Sequence, residues 1–207
     1  MWTTASAAAQ RAFTASGFVS LAGHRVDAGD GVERSTGALL GAWASVRVVP
    51  HVELALRVEG GTLSASTASA IERNVGEVGL DARWTTSPWL VLLASATRRV
   101  YSTDLGRQAW TTAGAGAEAR LPLLEEGLRG ILRASLLPVV SVSGTPGPNL
   151  GVSAAAGLEY RWPTVGVEAL YSLERYDFPR QGAAQRLEQL STLTLRFDVS
   201  PGSAPRR

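Results

Sequence analysis

The stretch GVSAAAGLEYRWPTVGVEALYSLE, residues 151–174, decides the architecture. Val152, Ala154, Ala156, Leu158, Tyr160 and Trp162 alternate with Gly151, Ser153, Ala155, Gly157, Glu159 and Arg161. After the break at Pro163-Thr164, Val165, Val167, Ala169, Tyr171 and Leu173 alternate with Gly166, Glu168, Leu170, Ser172 and Glu174. Successive side chains of a strand point to opposite faces. The stretch therefore reads as a hairpin with one apolar face and a second face that holds all its charge.

The same period recurs on both sides. Val52, Leu54, Leu56 and Val58 oppose Glu53, Ala55 and Arg57, and Val78, Leu80, Ala82 and Trp84 oppose Glu77, Gly79, Asp81 and Arg83. Leu193, Leu195, Phe197 and Val199 oppose Thr192, Thr194, Arg196 and Asp198. Residues 36–49 set Ala38, Leu40, Ala42, Ala44, Val46 and Val48 against Gly41, Ser45 and Arg47. Over 109–121 an alanine row ending at Leu121 opposes Thr112, Gly114, Gly116, Glu118 and Arg120. Over 128–142 Leu132, Ala134, Leu136 and Val140 oppose Arg129, Arg133 and Ser141. Residues 89–101 are apolar on both faces before Arg98 and Arg99, and residues 11–22 alternate too weakly to assign faces. A helix competes at 117–135, where Leu121, Leu124, Leu128 and Leu132 have near-helical spacing, but Pro122, Gly127 and Gly130 oppose it. A short amphipathic helix competes at 183–190.

Short connections at 49–51, 85–88, 122–127 and 163–164 alternate with longer ones at 23–34, 59–73, 102–108, 143–149 and 177–187. The longer ones collect turn and loop residues. Ten antiparallel strands in five hairpins follow, eight or twelve being the neighbouring alternatives, with both termini on the short-turn side. Residues 1–10 contain the small-residue patterns Ala5-Ser6-Ala7 and Ala7-Ala8-Ala9, which read either as the remnant of a signal peptide or as a disordered leader. Residues 11–199 form the barrel domain, and 200–207 read as a disordered tail.

Composition narrows the classes. The chain has 207 residues with 20 basic against 18 acidic, and every basic residue is Arg. A net charge of +2 without a cationic block excludes a nucleic-acid binder. The absence of Cys excludes disulfides and thiolate chemistry. The longest apolar run, Trp89 to Ala94, is far too short for a spanning helix. Yet 45% of residues are hydrophobic and only 18% charged, lean for a surface bathed in water.

On the eight strands with assigned faces, charges sort by parity. Glu53, Glu77, Asp81, Glu118, Glu159, Glu168, Glu174 and Asp198 share the polar face with Arg47, Arg57, Arg83, Arg120, Arg129, Arg133, Arg161 and Arg196. Alternation alone leaves the direction of that face open, because a soluble barrel turns its apolar face inward and a membrane barrel turns it to lipid. Three features favour lipid. Trp84, Trp89, Tyr160 and Trp162 flank the short turns while Tyr101, Trp110, Tyr176 and Phe178 flank the longer loops, a pattern of two interfacial girdles. The connections are asymmetric in length. Lys is absent.

The closing strand Leu193-Thr-Leu195-Arg-Phe197 resembles the assembly signal of the small bacterial outer-membrane β-barrels, and the resemblance in pattern extends over about residues 11–199. No subfamily motif stands out, and the residues beyond Phe197 depart from members that end on the aromatic. The family implies an all-β, closed, up-and-down transmembrane barrel in the bacterial outer membrane. It also implies delivery by a signal peptide, insertion by outer-membrane machinery, extracellular longer loops and periplasmic termini. Its partners are membrane lipids and, for a barrel in a larger complex, another protein.

The sixteen polar-face charges are the candidate lumen-lining residues. Most lie near the short turns, and toward the longer loops the same face carries mainly Gly, Ser, Thr and Ala. The expectation is an Arg–carboxylate network plugging one half below a more open vestibule. Catalytic chemistry is sparse. His51 reads as a solvated turn residue and His24 as a polar loop tip near Asp27 and Asp30. A lipid or peptide hydrolase would have to use His24, with Ser35 or Asp104 approaching it. Asp27-Ala-Gly-Asp30-Gly31 lacks the spacing of a calcium loop and Gly114-x-Gly116 that of a dinucleotide site. No cofactor or metal is expected. The reading is a non-enzymatic barrel with a narrow or plugged lumen, in a structural, surface-interaction or small-pore role. A surface hydrolase and a soluble binding barrel are the alternatives.

Overall fold

The computed structural model describes residues 13–29, 31–68, 70–124, 127–180 and 185–199. The expected leader at 1–10 and tail at 200–207 lie outside these. Ten strands follow in chain order: β1 Phe13–Asp27, β2 Val32–Val49, β3 Val52–Ala65, β4 Arg73–Ser87, β5 Leu90–Thr103, β6 Gly106–Pro122, β7 Leu128–Val142, β8 Leu150–Arg161, β9 Val165–Asp177 and β10 Leu187–Val199. Each pairs antiparallel with its chain neighbours, and β1 pairs with β10 to close the barrel. At the seam Val19 faces Leu40 on one side and Leu195 on the other. Closure leaves no open sheet edge, the condition for crossing hydrocarbon with strands. The helical alternative at 117–135 falls: its described residues belong to β6, β7 and the turn between them.

Parity has a definite direction. Leu40 and Leu80 are 69% and 60% exposed on the outside, while Glu118 and Glu159 are 0% and 1% exposed on the inside. A soluble barrel would be inverted, so the exterior is a lipid-facing surface. On β9 the outward residues from Val165 to Leu173 are apolar or aromatic before Arg175 appears. Ten residues of strand rise about 33 Å. At a tilt of about 40° they cover roughly 25 Å along the axis, the height of a lipid-facing band.

Three expectations need correction. The strands run deeper into the supposed loops: 23–27 and 32–34 belong to β1 and β2, and 59–65 to β3. The connections at the long-loop end are thus 28–31, 66–72, 104–105, 143–149 and 178–186, so the length asymmetry is milder than the sequence suggests. Long-range pairing overrides local glycine here, since Gly60 and Gly61 stay in the ladder opposite β2 and β4. Thirdly, Val140 and Ser141 exchange faces. Ala115 pairs with Leu136 but Ala113 with Val139, so β7 carries one extra residue at Leu137-Pro138. Proline offers no N–H to the ladder, and such a bulge reverses the parity beyond it. Val140 consequently packs inside and Val142 is buried.

The lipid face is the element most sensitive to charge. Leu80→Arg places a guanidinium near mid-belt and should lower the unfolding free energy in lipid vesicles by about 2–4 kcal/mol. Denaturant titration of the refolded barrel measures this.

Candidate functional site

The interior is built from the inward residues of all ten strands and divides into levels. Toward the short turns, Glu118 is fully enclosed and receives three arginines. Arg83 Nη2 donates to its Oε1 at 2.6 Å, Arg120 Nε to the same oxygen at 2.7 Å, and Arg133 Nε to Oε2 at 2.9 Å. The register creates this cluster, because Glu118 faces Arg133 directly across β6 and β7. Farther round the barrel, on β9 and β10, Arg196 Nη2 donates to Glu168 at 3.1 Å, its Nε lies 2.8 Å from Asp198 Oδ1, and its guanidinium stacks over the Trp43 ring. Ser16 Oγ donates to Asp198, tying β1 to β10 at the seam. Arg161 Nε reaches Glu159 at 2.6 Å.

Higher up, Glu77 accepts from both Arg57 and Arg99, and Arg99 Nη1 also donates to Glu174 at 3.0 Å. Tyr176 Oη donates to Glu174 at 2.8 Å. Two pairs of carboxylates face each other across strands, Glu59 with Glu77 and Glu159 with Glu168. Directly opposed like charges repel, and the adjacent arginines offset that repulsion. Between these clusters lies a polar cavity of about 200 Å³, walled by Arg57, Arg99, Arg133, Glu174 and the Thr97–Thr112 hydroxyl pair among others. It has room for on the order of ten waters.

Above the cavity the lumen is filled rather than open. Tyr101, Trp110, Tyr176 and Phe178 point inward and pack with Leu39, Leu63, Val75, Leu137 and Val142. Trp110 meets Tyr176 edge-on at 5.2 Å and Phe178 at 5.8 Å between ring centroids. Gly151 makes room: a Cβ there would come within 2.8 Å of the Tyr176 ring, its register partner. Two expectations fail together. The vestibule is plugged, and the four aromatics assigned to an interfacial girdle lie inside. Only the girdle at the short turns stands on the exterior, where Trp84, Trp89 and Trp162 are exposed.

His24 is also misplaced by the sequence reading. It sits within β1, buried, and stacks on Tyr101 at 5.2 Å. Its Nε2 donates to Glu188 Oε2 at 3.1 Å, which leaves Nδ1 to accept from Arg73 Nη1 at 3.2 Å. Ser35 is its cross-strand partner, and Ser35 Oγ finds no hydrogen-bond partner among the described residues. Asp104 lies in the turn between β5 and β6.

All sixteen candidate residues occupy inward positions of their strands. Arg57, Glu77, Arg83, Glu118, Arg120, Arg133, Glu159, Arg161, Glu168, Glu174, Arg196 and Asp198 are joined by the contacts above. Arg47, Glu53, Asp81 and Arg129 close no ion pair with a described residue; Arg47 and Glu53 are register partners at the short-turn rim. The sequence reading missed Glu59, Arg73, Arg99 and Glu188. Arg99 continues the parity of Ser95 and Thr97, a signal hidden because Val91 and Leu93 share that face.

No family model matches the chain, and no curated protein does. Solved structures do match. The outer membrane protease OmpT from Escherichia coli superposes with a TM-score of 0.62 at 10% identity, covering 92% of this chain and 97% of that one. LpxR from Salmonella typhimurium gives 0.53 at 10% identity, covering 89% and 99%. The translocator domain of the autotransporter NalP from Neisseria meningitidis gives 0.47 at 14%, covering 91% and 88%. At such identities the likeness is one of fold: this chain has the fold of the bacterial outer-membrane β-barrels.

Glu118 is the keystone of the charge network. Glu118→Gln leaves three arginines converging on a neutral amide and should destabilise the barrel by about 3 kcal/mol. Adding Arg133→Gln should recover about 1 kcal/mol of that loss, because one uncompensated cation leaves with it. Denaturant titration of both variants reads the two values.

Proposed function

We propose that this chain is a bacterial outer-membrane barrel whose lumen is closed to ion flow, and that it serves a structural or surface-interaction role rather than a catalytic one. The aromatic plug carries this reading. Tyr101, Trp110, Tyr176 and Phe178 meet across the bore from β5, β6, β9 and the segment after it. Below them the paired arginines and carboxylates hold the remaining section. A polar cavity thus lies beneath an apolar seal, an arrangement that holds water without passing it.

In this reading the longer loops face the cell exterior and both termini face the periplasm, as the mild length asymmetry supports. A signal peptide delivers the chain, the β10 pattern Leu193-Thr-Leu195-Arg-Phe197 engages the outer-membrane insertion machinery, and the loop end meets any protein partner.

A hydrolase reading draws on the fold shared with the protease OmpT and on the grouping of Ser35, His24 and Glu188. Geometry speaks against it. Both ring nitrogens of His24 are engaged, by Glu188 and Arg73, and Ser35 and His24 are buried away from any substrate. His24 is better read as a brace between β1, β4 and β10. Loss of a hydrolytic activity in His24→Ala with the barrel still folded would reinstate catalysis.

In planar bilayers the purified barrel should show no stable conductance steps. Trp110→Gly combined with Tyr176→Gly, checked for its heat-modifiable gel mobility as a sign of folding, should open ion-conducting events. Large stable conductance of the unaltered chain would refute closure.

A further inference from the structure

Among the described residues, the outward strand positions carry arginine at one end only. Arg25, Arg34, Arg98, Arg107 and Arg175 alternate with buried inward residues and therefore point outward, all in the long-loop half. Three of them belong to one row. Arg34 of β2 is the register partner of Arg25 of β1, Arg25 that of Gln189 of β10, and Gln189 that of Arg175 of β9. Directly opposed residues stand about 5 Å apart at Cβ, and like charges so placed destabilise the sheet. Arg25 donates to Asp27 at 3.2 Å and Arg175 to Asp177 at 3.2 Å, both two residues along their own strands. Arg34 uses its backbone N–H toward Thr67 Oγ1, and its guanidinium forms no ion pair with a described residue. Among the described residues, three cations therefore meet two carboxylates.

The surroundings say what supplies the missing anion. One step toward the belt, Gly23 and Ser191 present little side-chain bulk beneath the row. The next outward residues there are Leu21, Leu193 and Tyr171, all exposed. A cationic row at the upper edge of a lipid-facing band lies where headgroups meet acyl chains. Two facing guanidinium forks suit a dianionic phosphate, which accepts several charge-assisted hydrogen bonds at once.

We propose that Arg25 and Arg34, assisted by Arg175, bind the phosphomonoester of a membrane lipid whose acyl chains lie over Leu21, Leu193 and Tyr171. The inference rests on the barrel being embedded in a bilayer with its long-loop end at one headgroup layer. Bound phosphate relieves the Arg25–Arg34 repulsion and fixes the depth of the seam between β1 and β10.

Native mass spectrometry of the detergent-refolded barrel with equimolar phosphatidic acid and phosphatidylcholine tests this. The unaltered chain should retain phosphatidic acid about fivefold over phosphatidylcholine, and Arg25→Gln with Arg34→Gln should bring the two near parity. Arg98→Gln, on the far side of the barrel, should leave the preference intact. Displacement of phosphatidic acid by millimolar inorganic phosphate would show an anion site that does not recognise lipid, and would overturn the proposal. So would an unchanged preference in the double variant. Heat-modifiable mobility in vesicles is scored in parallel: a chain that inserts but shows no preference refutes only this inference. A chain that never inserts refutes the bilayer placement as well.

Discussion

A side chain pointing into a ten-stranded barrel has neither lipid nor bulk water to solvate it, and this enclosure governs the rest of the structure. An unpaired charge there would carry its full desolvation penalty. Every described inward Glu with near-complete burial is accordingly met by a cation: Glu118 by three arginines, Glu77 by two and Glu188 by Arg186, with His24 Nε2 donating a further hydrogen bond to Glu188. Exclusive use of Arg fits this setting. One guanidinium can serve two carboxylates in a plane, as Arg99 does between Glu77 and Glu174, and it stays charged under desolvation. An ammonium on the same strand would be a point donor and could be neutralised by burial.

The two halves of the bore meet the same requirement by different chemistry. Toward the short turns, charges compensate one another across neighbouring strands. Toward the longer loops, rings and aliphatic side chains fill the section so that few polar groups need partners. The join between the two solutions is Tyr176, whose ring packs in the plug while its hydroxyl donates to Glu174 of the charge network. Tyr101 plays the matching part upward, lying under the imidazole of His24. The cavity persists between them because Ser and Thr hydroxyls bond each other in pairs, Ser20 with Thr194 and Ser172 with Thr192, too short to reach the centre.

Parity was legible in the sequence because it depends only on the two-residue repeat, which loops and partners cannot disturb. The pairing of Glu118 with Arg133 and of Glu168 with Arg196 follows from strand order and parity together. Strand ends were not legible. Gly60-Gly61 looks like a loop locally and is held in the sheet by two neighbours. The bulge at Leu137-Pro138 was signalled only by a proline inside an alternating run, and missing it sent Val140 and Ser141 to the wrong faces. The direction of the outer aromatics was harder still. A ring near a strand end satisfies either an interface or a plug, and only the residue count from the strand's polar positions separates them. Arg99, Tyr101 and Thr97 share one parity, so Tyr101 had to enter the bore once Arg99 did.

Moving those rings inward leaves the long-loop end of the exterior without an aromatic girdle, and this changes how the barrel is anchored. At the short turns Trp84, Trp89 and Trp162 supply amphipathic rings to one interface. At the opposite edge the barrel offers arginine instead, at Arg25, Arg34, Arg98 and Arg175. Rings partition into any interface, whereas a guanidinium discriminates by the charge it meets. A barrel with rings at one edge and guanidiniums at the other is therefore polarised along its axis. Its orientation is favoured wherever the two leaflets differ in anionic headgroups, with the charged edge drawn to the more anionic side. The aromatic plug occupies that same end of the bore, so the ring packing inside and the arginine row outside share one ring of strand ends.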